Sequence, residues 1–424
     1  MLDLLLRGAR VPEGDGLVDI AIAGDRIADL AATGPVPPPA ARVIDVAGRV
    51  VTPGLVETHM HLDKAFLTDR VSASAGTVEE AIRLTGEAKR GFTVDDVRAR
   101  ARRVLDLAIT AGTTAMRSHV EVDPIVGLMG LEALLPLKEE YAPAIDLQLC
   151  AFAQEGILKS PGTEALLRRA LQLGADLVGG CPYNDTDARK HIEIVFRLAE
   201  SFGVDADFHV DFADEPEHLH VKDVVAETVR AGWQGRVAVG HLTELAALPG
   251  YEQDDVVAAI AQARVAVISL PITDLYLMGR RDESNVRRGL TPIRRLLAAG
   301  VPVALASNNI RNPFTPIGTA DLTHVGFVAA AAAHLGTPGD LRAILRMLTT
   351  DAARVIGLTD YGLAPGRRAD LVVWECTRVE EVVATLPDRA FVCKAGRITI
   401  EHTHTVRQPW RQAPATVAGS GTTR

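Results

Sequence analysis

The stretch Val51–Phe66, VTPGLVETHMHLDKAF, decides the fold. An apolar run ends in His59 and His61 with one residue between them, and Asp63 and Lys64 follow at once. On an extended strand, side chains two apart point to the same face. Both imidazoles can therefore look to one side and offer nitrogens to a single ion. Alone, that spacing is a weak signal, because histidines also serve packing in a core. The segments around it have to decide.

Working outward, eight apolar runs share this character: GLVETHMHLD, TTAMRSHVEV, IDLQLCAFAQEG, DLVGGCPYND, VDADFHVDF, RVAVGHLTE, VAVISLPITD and VPVALASNN. Each passes from aliphatic residues into polar ones at its C-terminal end. Nearly continuous apolar strands belong to parallel sheets covered on both faces. Segments of helical period, such as TVDDVRARARRVLDLAITAG and DDVVAAIAQARVA, separate them. Eight such units predict an α/β fold of the (β/α)8 TIM-barrel type, with its active site at the C-terminal strand ends. The interval from His61 to His119 is the longest, which predicts an extended, helical connection after the first strand.

The two ends of the chain differ. LVDIAIAGDRIADL and ARVIDVAGRVVTPG near the start, and GLAPGRRADLVVWEC and AFVCKAGRITIEHTH near the finish, read as short strands and tight turns. Neither end has strands enough to bury a face alone. We expect residues 1–52 and 358–410 to join in one small β-sandwich domain, residues 53–357 to form the barrel, and the polar tail 411–424 to be disordered.

Two further histidines stand at suitable strand ends, His209 in DFHVDF and His241 in VGHLTE. Several imidazoles meeting at one point favour a divalent transition metal, zinc, iron or manganese, over magnesium or calcium. With these motifs the sequence resembles the amidohydrolase superfamily, in its cytosine deaminase-like and N-isopropylammelide amidohydrolase-like branch. The resemblance spans about residues 1–410 and rests on PGLVETHMHLDK, RSHVEVDP, AFAQEGI, DFHVDF, GHLTE, NPFTPIGTAD and DAARVIGLTDYGLAPGRRADLVV. It implies that His59, His61 and His209 bind one metal and that His241 sits beside the attacking water. It also implies that Gln154 hydrogen-bonds a heterocyclic substrate and that Phe314 packs on the substrate ring. Members with two metals carry a carboxylated lysine at the end of the fourth strand, where this chain has GGCPYN, so one metal is expected.

The sequence departs from the family pattern at two positions. Phe212 stands where cytosine deaminase has a proton-shuttling glutamate, and Asn308 stands at the position of the eighth-strand aspartate. An asparagine cannot accept a proton near neutral pH. The motif HMHLDK supplies Lys64, which in a dry pocket could donate a proton to a leaving amine. His241, Asp211 and Asp274 are candidates to replace the missing base, and Asp274 is also expected at the substrate. The expectation is a metal-dependent hydrolase of C–N bonds in small nitrogen heterocycles, most concretely a deaminase. The alternatives are hydrolysis of a cyclic amide or imide, and an inactive homologue that acts as a binding protein.

Bulk properties restrict the partners. A net charge of −9 argues against a nucleic-acid backbone. No apolar run approaches the roughly 18 to 20 residues that cross a membrane, and Asp3 in an N-terminus without a basic region argues against a signal peptide. The four cysteines, without CxxC pairing, read as reduced thiols. A cytoplasmic enzyme acting on a small molecule is expected, with neither nucleic-acid nor membrane partners and with room for homo-oligomerisation. His119 and Glu121 read as hydrogen-bonding support for the site, and His218, His220, His402 and His404 as solvated residues.

Overall fold

The computed structural model describes residues 2–403 and 405–408, so His404 and the tail expected over 411–424 lie outside the described residues. Four strands open the chain: β1 (Leu2–Ala9), β2 (Val18–Ala23), β3 (Arg26–Ala32) and β4 (Ala40–Asp45), forming one sheet in the order β3-β2-β1-β4. The short β5 (Val51–Pro53) leaves that sheet, and eight strands then build the barrel. These are β6 (Leu55–Met60), β7 (Thr113–Glu121), β8 (Asp146–Ala153), β9 (Leu177–Gly180), β10 (Asp205–Val210), β11 (Val237–His241), β12 (Ala266–Ser269) and β13 (Val303–Leu305). They lie in sequence order, and all their pairings are parallel. The chain finishes with β14 (Leu371–Trp374), β15 (Arg389–Lys394) and β16 (Arg397–Glu401), which take β5 as the fourth strand of their sheet.

The last barrel strand is stitched to the first just past their ends. The His61 amide donates to the Asn308 carbonyl at 3.0 Å, and the Asn308 amide donates to the His59 carbonyl at 2.9 Å. Glu57 spans the same seam, accepting from the amides of His59 at 3.1 Å and of Ser307 at 3.2 and 3.1 Å. Burial pushes its carboxyl up to about 7 despite those hydrogen bonds. The seam thus runs through the segment that carries both first-strand histidines.

Period-two alternation explains the sandwich. Leu4, Leu6, Ile20 and Ile22 from one sheet bury against Val51, Leu371, Val373 and Phe391 from the other. Val372, Trp374 and Val392, on the opposite face of the second sheet, join the barrel core. A buried ion group ties the units together, with Lys394 Nζ 2.6 Å from Asp370 and 2.7 Å from Asp146 at the start of β8. The connection from β6 to β7 holds two helices, Val78–Ala88 and Val94–Thr110. The first lies over the barrel mouth, where Val78, Ala81 and Ile82 pack with Tyr183, Phe212 and Phe314. Among the described residues no helix is long and apolar enough to cross a membrane, and all four cysteines are free.

Small residues allow close approach where β9 meets β10. A Cβ on Gly179 would lie 1.8 Å from the Asp207 carbonyl oxygen, so the backbone of the strand bearing His209 would have to move. We expect Gly179→Ala to cost more than about 3 kcal/mol of stability in urea unfolding. A loss below about 1 kcal/mol would show that the strands part freely there.

Candidate metal centre and substrate pocket

His59 lies near the end of β6, His61 directly follows that strand and His209 lies near the end of β10, and barrel geometry turns all three rings inward. One potential donor atom from each lies within 4.8 Å of the others. The ring centroids are 5.4 Å apart for His59 and His61, 4.4 Å for His59 and His209, and 5.2 Å for His61 and His209. All three side chains are buried. His59 Nδ1 and Nε2, His61 Nδ1 and His209 Nε2 have no hydrogen-bond partner among the described residues. Buried polar atoms ordinarily find partners, and orphaned imidazole nitrogens converging on one point suit a cation. Burial first, then the neighbouring imidazoles, and for His59 and His61 also Lys64, hold these rings well below the usual histidine range. Neutral imidazole is the form that ligates. The residues present therefore fit a single transition ion.

His241 closes β11 beside them, with its ring centroid 5.2 Å from that of His209. Its backbone takes a positive φ of 78°, and the Thr291 hydroxyl fastens its carbonyl at 2.6 Å. His241 Nδ1 lies 2.8 Å from Asp274 Oδ1, and the fully buried carboxyl is raised by its burial. Asp274, expected at the substrate, is not among the pocket-lining residues; its contact is with His241. Phe212 lies against the His241 ring at 3.9 Å between centroids. Asp211 does not face the pocket: its carboxylate accepts from the amides of His220 at 2.6 Å and Val221 at 3.2 Å, at the start of the helix Val221–Ala231.

Lys64 follows β6 and is buried. Its Nζ donates to Glu121 at 2.7 Å and to Gln154 Oε1 at 3.2 Å, and it lies 5.3 Å from the Phe314 ring centroid. Asp63 instead accepts from the Glu121 amide at 2.8 Å. A second buried cation, Lys89, contacts Glu121, Asp123 and Glu155 at 3.1, 2.7 and 2.8 Å. Burial works to raise the Glu121 carboxyl, but the two lysines outweigh it and hold the group near 2. One proton of Gln154 Nε2 goes to the Cys181 sulfur at 3.2 Å.

A run of asparagines fixes the orientation of Asn308. The amides of Phe314 and Thr315 both donate to Asn312 Oδ1, at 3.0 and 3.1 Å. That leaves Asn312 Nδ2 as the donor to Asn309 Oδ1 at 2.6 Å, and Asn309 Nδ2 as the donor to Asn308 Oδ1 at 2.8 Å. Backbone groups set the chain, so none of the three amides is free to flip. Asn308 Nδ2 is left with no partner among the described residues, and Asn308 lines the pocket.

The pocket lies between His61, Lys64, Gln154, His209, His241, Asn308 and Phe314, with Tyr183, Phe212, Thr273 and Asn309 completing the wall. A larger cleft runs past Thr243, Arg287–Arg295 and Ala332, and none of the site histidines lines it. Below the trio, Arg117 Nη1 donates to Asp207 Oδ2 at 2.9 Å, and His119 Nε2 lies 3.3 Å from Asp207 Oδ1. Sequence reasoning passed over Arg117, Asp207 and Glu57. The alternation Arg117, His119, Glu121 along β7 was the available signal, since it sends three polar side chains to one face. Away from the site, His218 pairs with Asp223, and His402 Nε2 reaches the Thr110 carbonyl.

A profile of the amidohydrolase family matches residues 42–403. The chain is 28% identical to N-isopropylammelide isopropyl amidohydrolase of Pseudomonas sp. over 411 residues, covering 94% of this chain and 97% of that enzyme. It is 30% identical to pterin deaminase of Rhizobium rhizogenes over 397 residues, covering 91% of this chain and 89% of that one. The crystal structure of 5-methylcytosine deaminase from Klebsiella pneumoniae, liganded with 5-fluorocytosine, superposes with a TM-score of 0.92 at 28% identity, covering 96% of this chain and all of that one.

Proposed function

We propose, from the premise that this chain belongs to the amidohydrolase family, that it hydrolyses an exocyclic C–N bond of a small nitrogen heterocycle. The observation that carries this is the meeting of His59, His61 and His209, with orphaned ring nitrogens, beside the His241–Asp274 pair. The similar enzymes named for ammelide, pterin and 5-methylcytosine share a small nitrogen ring, which supports that substrate class. In this reaction the oxygen of water bonds to the ring carbon and the C–N bond breaks. The ring keeps a carbonyl, and ammonia or an amine leaves with the proton.

His59, His61 and His209 would hold one zinc, iron or manganese ion. When bound, such an ion supplies Lewis acidity that makes water a nucleophile near neutral pH. His241 does the proton work. The Asp274 carboxylate at Nδ1 selects the tautomer with its proton there, which leaves Nε2 free to accept one from water and pass it to the departing nitrogen. This assigns the base role that Asn308 cannot fill. Gln154 and Lys64 hold the ring edge, and Phe314 stacks on its face.

Metal-loaded protein is tested on a panel of amino- and alkylamino-pyrimidines, triazines and pteridines, with released ammonia or amine measured. No release from any of them, at full metal occupancy, would overturn the proposal. Asn308 favours a second possibility, a binding protein that has lost its chemistry. With His241 as base, Asn308→Asp should lower kcat/KM by about tenfold or more, by placing an anion in a site of donors. A large gain in turnover from that substitution would favour the binding protein.

A further inference from the structure

Resting on the heterocycle reading above, in which Lys64 holds the ring edge, we propose that Lys89 is a positioning residue for that contact. It takes one oxygen of Glu121, so that Lys64 keeps the other and has charge to spare for the substrate. Lys89 itself does not line the pocket. It directly follows the helix Val78–Ala88 over the barrel mouth, and its side chain is buried. Its ammonium meets carboxylates from three places: Glu121 at the end of β7, Asp123 just beyond it, and Glu155 after β8. Burial works against the charge, but Glu121, Glu155 and Asp123 outweigh it and hold the group well above the usual lysine range.

Glu121 is where the two cations meet. Its Oε1 accepts from Lys64 Nζ at 2.7 Å and its Oε2 from Lys89 Nζ at 3.1 Å. The carboxylate is buried, so water does little to screen either contact. Asp123 is steadied by the amides of Ile125 and Val126 at 2.6 and 3.0 Å, and it accepts from Lys89 at 2.7 Å. Asp123 and Glu155 would suffice to anchor Lys89; the contact with Glu121 also reaches the pocket. One negative charge divided between two ammoniums neutralises neither of them. Lys64 spends one proton on Glu121 and one on Gln154, and keeps its third for a ligand. Without Lys89 the whole anion would fall on Lys64, and that third proton would meet the substrate with a weakened charge.

The test is steady-state kinetics of metal-loaded protein on the best substrate of the panel. Lys89→Met alone would leave three clustered carboxylates without their cation, so it is combined with Glu155→Gln, which keeps the charge of the group. The pair should raise KM about tenfold with kcat within about threefold, as a weakened charge-assisted hydrogen bond requires. In a Lys64→Met background the same pair should change KM by less than about twofold, because Lys89 acts through Lys64. Glu155→Gln alone keeps the buried lysine paired and leaves it leaning harder on Glu121, so it should lower KM about twofold to threefold. An equal effect of the pair with and without Lys64, or a KM that Glu155→Gln leaves unchanged or raises, would overturn the proposal. A panel without any substrate would count against the hydrolase, and a crystal structure of the pair would still decide this point. Lys64 Nζ drawn across both oxygens of Glu121 and off Gln154 would support it; Lys64 left in place would overturn it.

Discussion

Asp274→Asn should reduce kcat by about 10³- to 10⁴-fold while leaving metal content and melting nearly unchanged. The carboxylate sits 2.8 Å from His241 Nδ1 and is the only partner found for that ring nitrogen among the described residues. An amide in its place can turn its NH2 toward Nδ1. That drives the imidazole proton to Nε2, where it blocks acceptance of a proton from water. The shape is preserved, so a loss of turnover reports the wrong tautomer rather than a collapsed site. Steady-state kinetics on the best substrate of the panel, with elemental analysis of the same sample, make the measurement. A fall of less than about tenfold would remove His241 from the proton path.

His209→Ala should have the second large effect. The purified protein should lose its stoichiometric metal, turnover should fall below detection, and the melting temperature should drop. An ion present at about 100 to 1,000 times its dissociation constant contributes about 3 to 4 kcal/mol to the folded state. Chelation of the unaltered protein should reproduce that drop, and chelation of the variant should add little to it. A variant that retains full metal would show that the ion, if held at all, is held elsewhere.

The barrel was legible from the sequence because apolar strands covered on both faces leave few other arrangements, and all eight quoted runs contain a barrel strand. The His59/His61 pair was legible because strand periodicity alone puts the two rings on one face. What escaped notice depends on partners far apart in the chain. Lys64 directly follows the acid Asp63 in the sequence, yet its anion is Glu121, 57 residues on, with Lys89 behind it. Asp211 was a candidate base, but its carboxylate is spent on the amides of His220 and Val221. The identity of Asn308 could be read from the sequence and its orientation could not. The direction of that amide is dictated by the backbone of Phe314 and Thr315, relayed through two other side chains.

The seam between β6 and β13 bears on how the molecule is made. His59 and His61 leave the ribosome early, but the backbone partner that steadies them, Asn308, is translated only when nearly the entire barrel already exists. A chain that stops short of β13 therefore lacks the strand that closes the barrel beside His59 and His61.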